Sequence, residues 1–233
     1  VDDRYRTHSG QQGGKTVVSE WTTAKPKNVG RSNETSGEDQ ARAEVVSNYA
    51  LKLKSGYSTT TGAAAKSTRF SPMLAKVYAD YADDVHAELD TAKPDIEVYS
   101  QPKLDGIRCI ATASGLWSRQ GNPIVAVPHV WGAIQRFFQA IPDLVLDGEL
   151  YNHELKADFN AIVSAVKKTK PSAEDLDNSA RSIQYWIYDS PSTDPFGIRC
   201  SRVHELVDGA EHHGLRTVPT HAVDTRKRLD ELY

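Results

Sequence analysis

Long apolar runs are missing from this 233-residue chain. No stretch approaches the roughly 18–20 apolar residues that span a bilayer, so neither a membrane helix nor a membrane partner is expected. Cysteine is scarce. Cys109 and Cys200 show no CxxC spacing, which argues against a disulfide framework or thiolate metal site and suits free thiols in a reducing compartment. Eight histidines are scattered, and His212-His213 lacks the i, i+4 spacing of a helical zinc pair. No Gly-rich P-loop and no G-x-S-x-G elbow occurs, which sets those two phosphate and acyl-transfer chemistries aside. No signal peptide and no internal repeat is visible.

What is present is an ordinary globular composition, 39% hydrophobic and 25% charged, enough for one large domain or a domain plus a small module. The net charge of −3 hides an asymmetry: residues 1–70 carry 11 Lys+Arg against 7 Asp+Glu, and residues 71–233 carry 17 against 24. A basic front on an acidic body suits contact with a polyanion, although solvated surfaces produce such differences too.

The front, residues 1–56, reads as a small unit. "KTVVSEWTT" (Lys15–Thr23) is β-branched and strand-like, and "KPKNVGRSNETSG" (Lys25–Gly37) is a polar, basic loop. Ser36 offers an N-cap to a helix in which Ala41, Val45, Tyr49 and Leu53 recur every four residues as an apolar stripe, with Gly56 closing it. Residues 57–70 have the composition of a linker. Residues 71–233 mix strand and helix patterns without a strict βαβ alternation, which predicts an α+β fold. Helices are expected over 73–89, 127–141 and 157–168 and around Val203–Ala210, with another starting at Asp224. Strands are expected over 96–103, 107–113, 144–152 and 183–190 and near 216–223. "KPSAEDLDNSARS" (170–182) reads as loop.

One stretch carries chemistry. "QPKLDGIR" sets Lys103, Asp105, Gly106 and Arg108 within six residues after an apolar run. A lysine becomes a nucleophile when desolvation or a neighbouring cation lowers its pKa. The Asp-Gly pair suits a tight turn swinging both cations toward one pocket, and it equally suits a plain hairpin turn with solvated charges. "SRQG" (Ser118–Gly121), "LDGEL" (Leu146–Leu150) and "YWIYD" (Tyr185–Asp189) follow in order.

The ordered set KxDGxR, SRxG, DGE and aromatic-x-x-aromatic-Asp resembles the covalent nucleotidyltransferases, the superfamily of ATP-dependent DNA ligases, RNA ligases and capping enzymes. "SPMLAK" (Ser71–Lys76) resembles the lead-in of the DNA ligases. The resemblance implies an adenylation domain of antiparallel sheets with flanking helices over 71–233. Lys103 would be the nucleophile that takes AMP from ATP, with Mg²⁺ as the metal. Arg108 would hold the ribose, and Asp105 would organise the turn and contact the nucleotide. Glu149 would contact the ribose or place the metal, Tyr188 would stack on adenine, and Gln101 would read its amino group. Arg119 would bind the 5′-phosphate of a nicked duplex. Surface charge for Arg119, a structural salt bridge for Glu149 and plain core for Tyr188 stay open as alternatives.

The same resemblance implies a Glu-Gly strand, a closing Lys-x-Lys and an OB-fold after the aromatic strand. None is in this sequence, and "KKTK" (Lys167–Lys170) precedes that strand. The chain is therefore expected to be a fragment or part of a longer protein. "KPKNVGRSNETSG" with the helix after it resembles WGR modules, small nucleic-acid-binding domains, with Val29-Gly30-Arg31 in the Trp-Gly-Arg place. That implies phosphate contacts by Lys25, Lys27 and Arg31, and leaves Trp21 to stack on a base or serve as core; an accessory fold with no ligand is the alternative. The expectation is an ATP-dependent DNA ligase of replication or repair, monomeric and cytoplasmic in a bacterium or phage-infected cell. The rivals are an RNA ligase and a nick-binding protein without chemistry.

Overall fold

The computed structural model describes residues 3–10, 13–54, 70–90 and 98–232. Gly56, the expected linker up to Arg69 and the first two residues of the strand expected over 96–103 lie outside them. The chain divides into two compact units, Val1–Thr68 and Arg69–Tyr233.

In the first unit, β1 (Arg4–Tyr5), β2 (His8–Ser9), β3 (Val17–Val18) and β4 (Thr22–Thr23) form a hairpin, β1 antiparallel to β4 and β2 to β3. The helix α1 (Gly37–Lys54) starts as its sequence predicts: the Asp39 N–H donates to Ser36 Oγ at 3.1 Å. The apolar stripe is a correction. Ala41 is buried, but Val45, Tyr49 and Leu53 are exposed. Every residue from Val45 to Leu53 is exposed, so among the described residues the hairpin covers only the first two turns of α1 and no face beyond them. The inward line is instead Gln40, Ala41 and Glu44, with Gln40 Nε2 and the Tyr5 hydroxyl both donating to the Glu44 carboxylate.

The second unit opens with a short 3₁₀ turn, Tyr78–Asp80, then α2 (Ala82–Asp90), so the helix expected over 73–89 is confined to its second half. Val77 is extended, at ψ 120°, so the backbone ahead of the turn does not propagate a helix. Next come β5 (Val98–Ser100), β6 (Ile107–Thr112), β7 (Gly115–Ser118), α3 (Pro128–Ala140), β8 (Leu146–Tyr151) and α4 (Phe159–Val166). Residues 173–182 form α5 (Ala173–Ser182), where the sequence read as loop. Its inner face is nearly polar, so no apolar periodicity announces it. A capping box between Ser172 and Asp175 starts it, and the buried Ser179 hydroxyl donates to the Ala126 carbonyl. After it come β9 (Gln184–Asp189), α6 (Phe196–Asp208), β10 (Leu215–Thr217), β11 (His221–Val223) and α7 (Arg226–Leu232).

The main sheet has the order β10-β9-β8-β6-β7, antiparallel except for the parallel β9–β10 pair joined through α6. A second pairing, β5 with β11, is antiparallel. The fold is α+β, as expected. One face of the main sheet is the core, where Cys109, Ala111, Leu146, Leu150, Tyr185 and Ile187 meet Val130 and Ile134 of α3 and Ile162 of α4. Tyr185 is wholly buried, its hydroxyl 3.0 Å from the carbonyl oxygens of both Cys109 and Leu146. Gly148 makes room for it: a Cβ there would sit 2.7 Å from the Tyr185 ring and 2.3 Å from the Trp186 carbonyl oxygen.

Candidate active site

The opposite face of the sheet carries charge. Register sets Arg108, Glu149 and Trp186 side by side across β6, β8 and β9. Beyond them the pairing slips: Gly148 faces Ile187 but Asp147 faces Asp189, so Tyr188 is the extra residue of a β-bulge. A bulge re-aims a side chain and releases its backbone from the ladder. Here it sets the Tyr188 ring under Arg108, whose guanidinium carbon is 5.2 Å from the ring centroid.

Arg108 is gripped by Asp147, Nε and Nη2 each 2.6 Å from a carboxylate oxygen. Asp147 is 4% exposed, and burial raises its pKa against the pull of Arg108. Glu149, at 7% exposure, is pushed up to about 7. Burial is the main cause, the positive charges of Arg108 and Lys103 oppose it, and Asp147 adds to it. Burial, then the Glu149 charge, raises the Tyr188 phenol.

The segment from Gln101 to Gly106 lies over this face, anchored at its two ends. Gln101 Nε2 donates to the Tyr188 carbonyl at 3.1 Å and to Thr220 Oγ1 at 2.9 Å. A Cβ on Gly106 would come within 2.4 Å of the Leu150 carbonyl oxygen and 2.8 Å of Glu149 Cγ, so only glycine lets the segment lie this close to β8. Between the anchors, Lys103 and Asp105 are exposed.

Gln101, Lys103, Arg108, Glu149 and Tyr188 are thus brought together. Asp105 is exposed two residues further along the loop. Arg119 is exposed in the turn after β7, a turn closed by the Gly121 N–H on the Ser118 carbonyl. Ser118 faces Cys109, so Arg119 is at the Arg108 end of the sheet. Lys25, Lys27 and Arg31 belong to the other unit. There Lys25 and Arg31 are exposed and Lys27 is 3.9 Å from Glu44. Trp21 is half exposed, with the guanidinium carbons of Arg4 and Arg6 at 5.6 and 4.7 Å from its ring, so it is not core.

Two residues at the site escaped the sequence reading. Asp147 was in view as the first residue of "DGE", and its pairing with Arg108 depends on strand register. Thr220 has no motif to mark it. Asp189, quoted as the end of the aromatic strand, holds Arg199 through two bonds of 2.9 and 3.0 Å.

As to metal, no group of three or more His, Cys, Asp or Glu that could hold an ion occurs among the described residues. Of the two buried carboxylates, Asp147 has both oxygens bound to Arg108, which leaves Glu149 as the one that could ligate an ion.

No protein-family model matches the chain, and no curated protein matches it. Solved structures do. One, described as a structure-function analysis of DNA binding with a minimal scaffold by Lig E DNA ligases, is 22% identical with a TM-score of 0.47, covering 70% of this chain and 56% of that one. A second, Pmar-Lig_PreS3, is 18% identical with a TM-score of 0.51, covering 84% of this chain and 44% of that one. A third is the ATP-dependent DNA ligase of bacteriophage T7 in complex with ATP, 14% identical with a TM-score of 0.49, covering 69% and 57%. The chain spans about half the length of these structures. At such identities the likeness is one of fold. The second carries it, and the chain shares the α+β fold of that structure.

Proposed function

We propose that this chain belongs to an ATP-dependent DNA ligase in which Lys103 is the nucleophile. Lys103 Nζ, deprotonated, attacks the α-phosphorus of ATP. A P–N bond forms, the bond to the bridging oxygen breaks, and pyrophosphate leaves. AMP then passes from the lysine to the 5′-phosphate of a nick, and the 3′-hydroxyl displaces it to seal the strand. Positioning and charge neutralisation do most of the work in such transfers.

What supports this reading is the Lys103 loop, held by the Gln101 amide at one end and by the close approach of Gly106 to β8 at the other, over the row of Arg108 and Glu149. In it Arg108 neutralises phosphate or holds the ribose, Tyr188 lies along the base, and Gln101 reads the 6-amino group. Asp105 shapes the turn, and Arg119 receives the nick's phosphate. Magnesium, with Glu149 as one ligand, would screen the phosphate charge; Lys25, Lys27 and Arg31 would add backbone contacts.

The test is incubation of the protein with α-labelled ATP and Mg²⁺. Acid-labile, alkali-stable label on the parent, lost in Lys103→Ala, is the expected result. A parent that binds nicked DNA yet takes no label would sink the ligase reading and favour a nick-binding protein. Sealing of nicked DNA, compared with nicked RNA, then separates the two ligase classes.

A further inference from the structure

We infer that Thr220, between β10 and β11, determines the choice of nucleobase by fixing which end of the Gln101 amide a ligand meets. The inference rests on the nucleotide-binding reading above.

A glutamine side chain ends in a donor and an acceptor of nearly equal shape, and only its neighbours decide which points where. Gln101 has two close neighbours. The Tyr188 carbonyl can only accept. Thr220 could do either, but its own proton goes to the Val218 carbonyl at 2.9 Å, which leaves its oxygen to accept. Both neighbours therefore demand the NH₂ group, at 3.1 and 2.9 Å, and turning the amide over would set oxygen against oxygen at both. Both N–H bonds are then spent within the protein. Among the described residues nothing donates to Oε1, so the amide offers a ligand an acceptor alone.

An acceptor-only group discriminates between purines. Adenine has an amino group at position 6 and donates to it; guanine has an oxygen there and repels it. The bulge at Tyr188 contributes, because a regular ladder would hold that carbonyl in strand pairing. Thr220 is thus a positioning residue, acting through Gln101 and never touching the base.

Dissociation constants for ATP and GTP, measured by isothermal titration, test this without any chemical step. The parent is expected to favour ATP. Thr220→Val keeps the shape and removes the acceptor, so one of two orienting bonds is lost. The GTP-to-ATP ratio of dissociation constants should fall about tenfold, the equivalent of one ordinary hydrogen bond. Thr220→Ser should keep the parent ratio within about twofold. An unchanged ratio in Thr220→Val, or equal weakening of both nucleotides, overturns the inference while leaving the ligase reading intact. A parent that binds neither nucleotide overturns both.

Discussion

Glu149 is a carboxyl with almost no access to water, and its protonation connects the site to stability. Its ordinary value is 4.5, and in the folded protein it is about 7. Below pH 4.5 both folded and unfolded chains hold the proton. Between 4.5 and 7 the folded chain holds more, so stability falls as pH rises; above 7 the loss is complete, ~3 kcal/mol at about 1.4 kcal/mol per pH unit. Glu149→Gln should flatten that dependence. In urea unfolding it should equal the parent near pH 4 and exceed it by up to about 3 kcal/mol at pH 8. Equal stabilities at pH 8 would mean the burial is not felt. Most of this cluster was legible, because Lys103, Arg108, Glu149 and Tyr188 sit in short ordered motifs that the strand register then brings together. Thr220 was not. Its role comes from lying beside a residue 119 positions away, a juxtaposition no local pattern records.

Elements were legible where burial imposed a period and obscure where polar contacts did the work. On α3 the apolar spacing marked Val130, Ile134, Phe137, Phe138 and Ile141; the first four are buried, and Ile141, at the C-cap, is exposed. α5 escaped because its helix start is a hydrogen-bonded box and its one buried residue is a serine. The stripe on α1 misled because the hairpin covers only the first two turns of the helix, so the apolar residues beyond Glu44 have nothing to pack against within the described residues. The glycines show the contrast in numbers. Gly148 lies within 2.3 Å of backbone once a Cβ is added, whereas Gly132 on α3 has nothing within 4 Å. Gly148→Ala should therefore lower unfolding free energy by roughly 3 kcal/mol or more, since the Trp186 carbonyl cannot yield without breaking the sheet. Gly132→Ala should raise it by up to ~1 kcal/mol through helix propensity. Thermal melts of the two variants beside the parent decide this, and a tolerated Gly148→Ala would contradict the packing of Tyr185 on β8.

At the scale of the whole molecule, charge is unevenly shared, +4 over residues 1–70 and −7 over 71–233. If the front supplies phosphate contacts, affinity for nicked duplex should fall steeply with salt. Replacing Lys25, Lys27 and Arg31 together by alanine should reduce the slope of log affinity against log salt by about 2–3, roughly 0.9 for each phosphate lost. Lys27 has Glu44 nearby, so its own share should be the smallest. An unchanged slope would place the DNA contacts elsewhere. The division of the chain into two units leaves this measurement independent of any adenylation assay.

The pairing of β5 with β11 has a consequence for how the protein comes into being. Synthesis runs from the amino end, so Lys103 emerges from the ribosome long before His221–Val223, the strand that pairs with β5, and before Thr220, the partner of Gln101. Closing so long a loop is among the later events of folding. The nascent chain therefore carries Lys103 on a tether whose Gln101 anchor is completed only after the segment beyond β10 has been made and has docked.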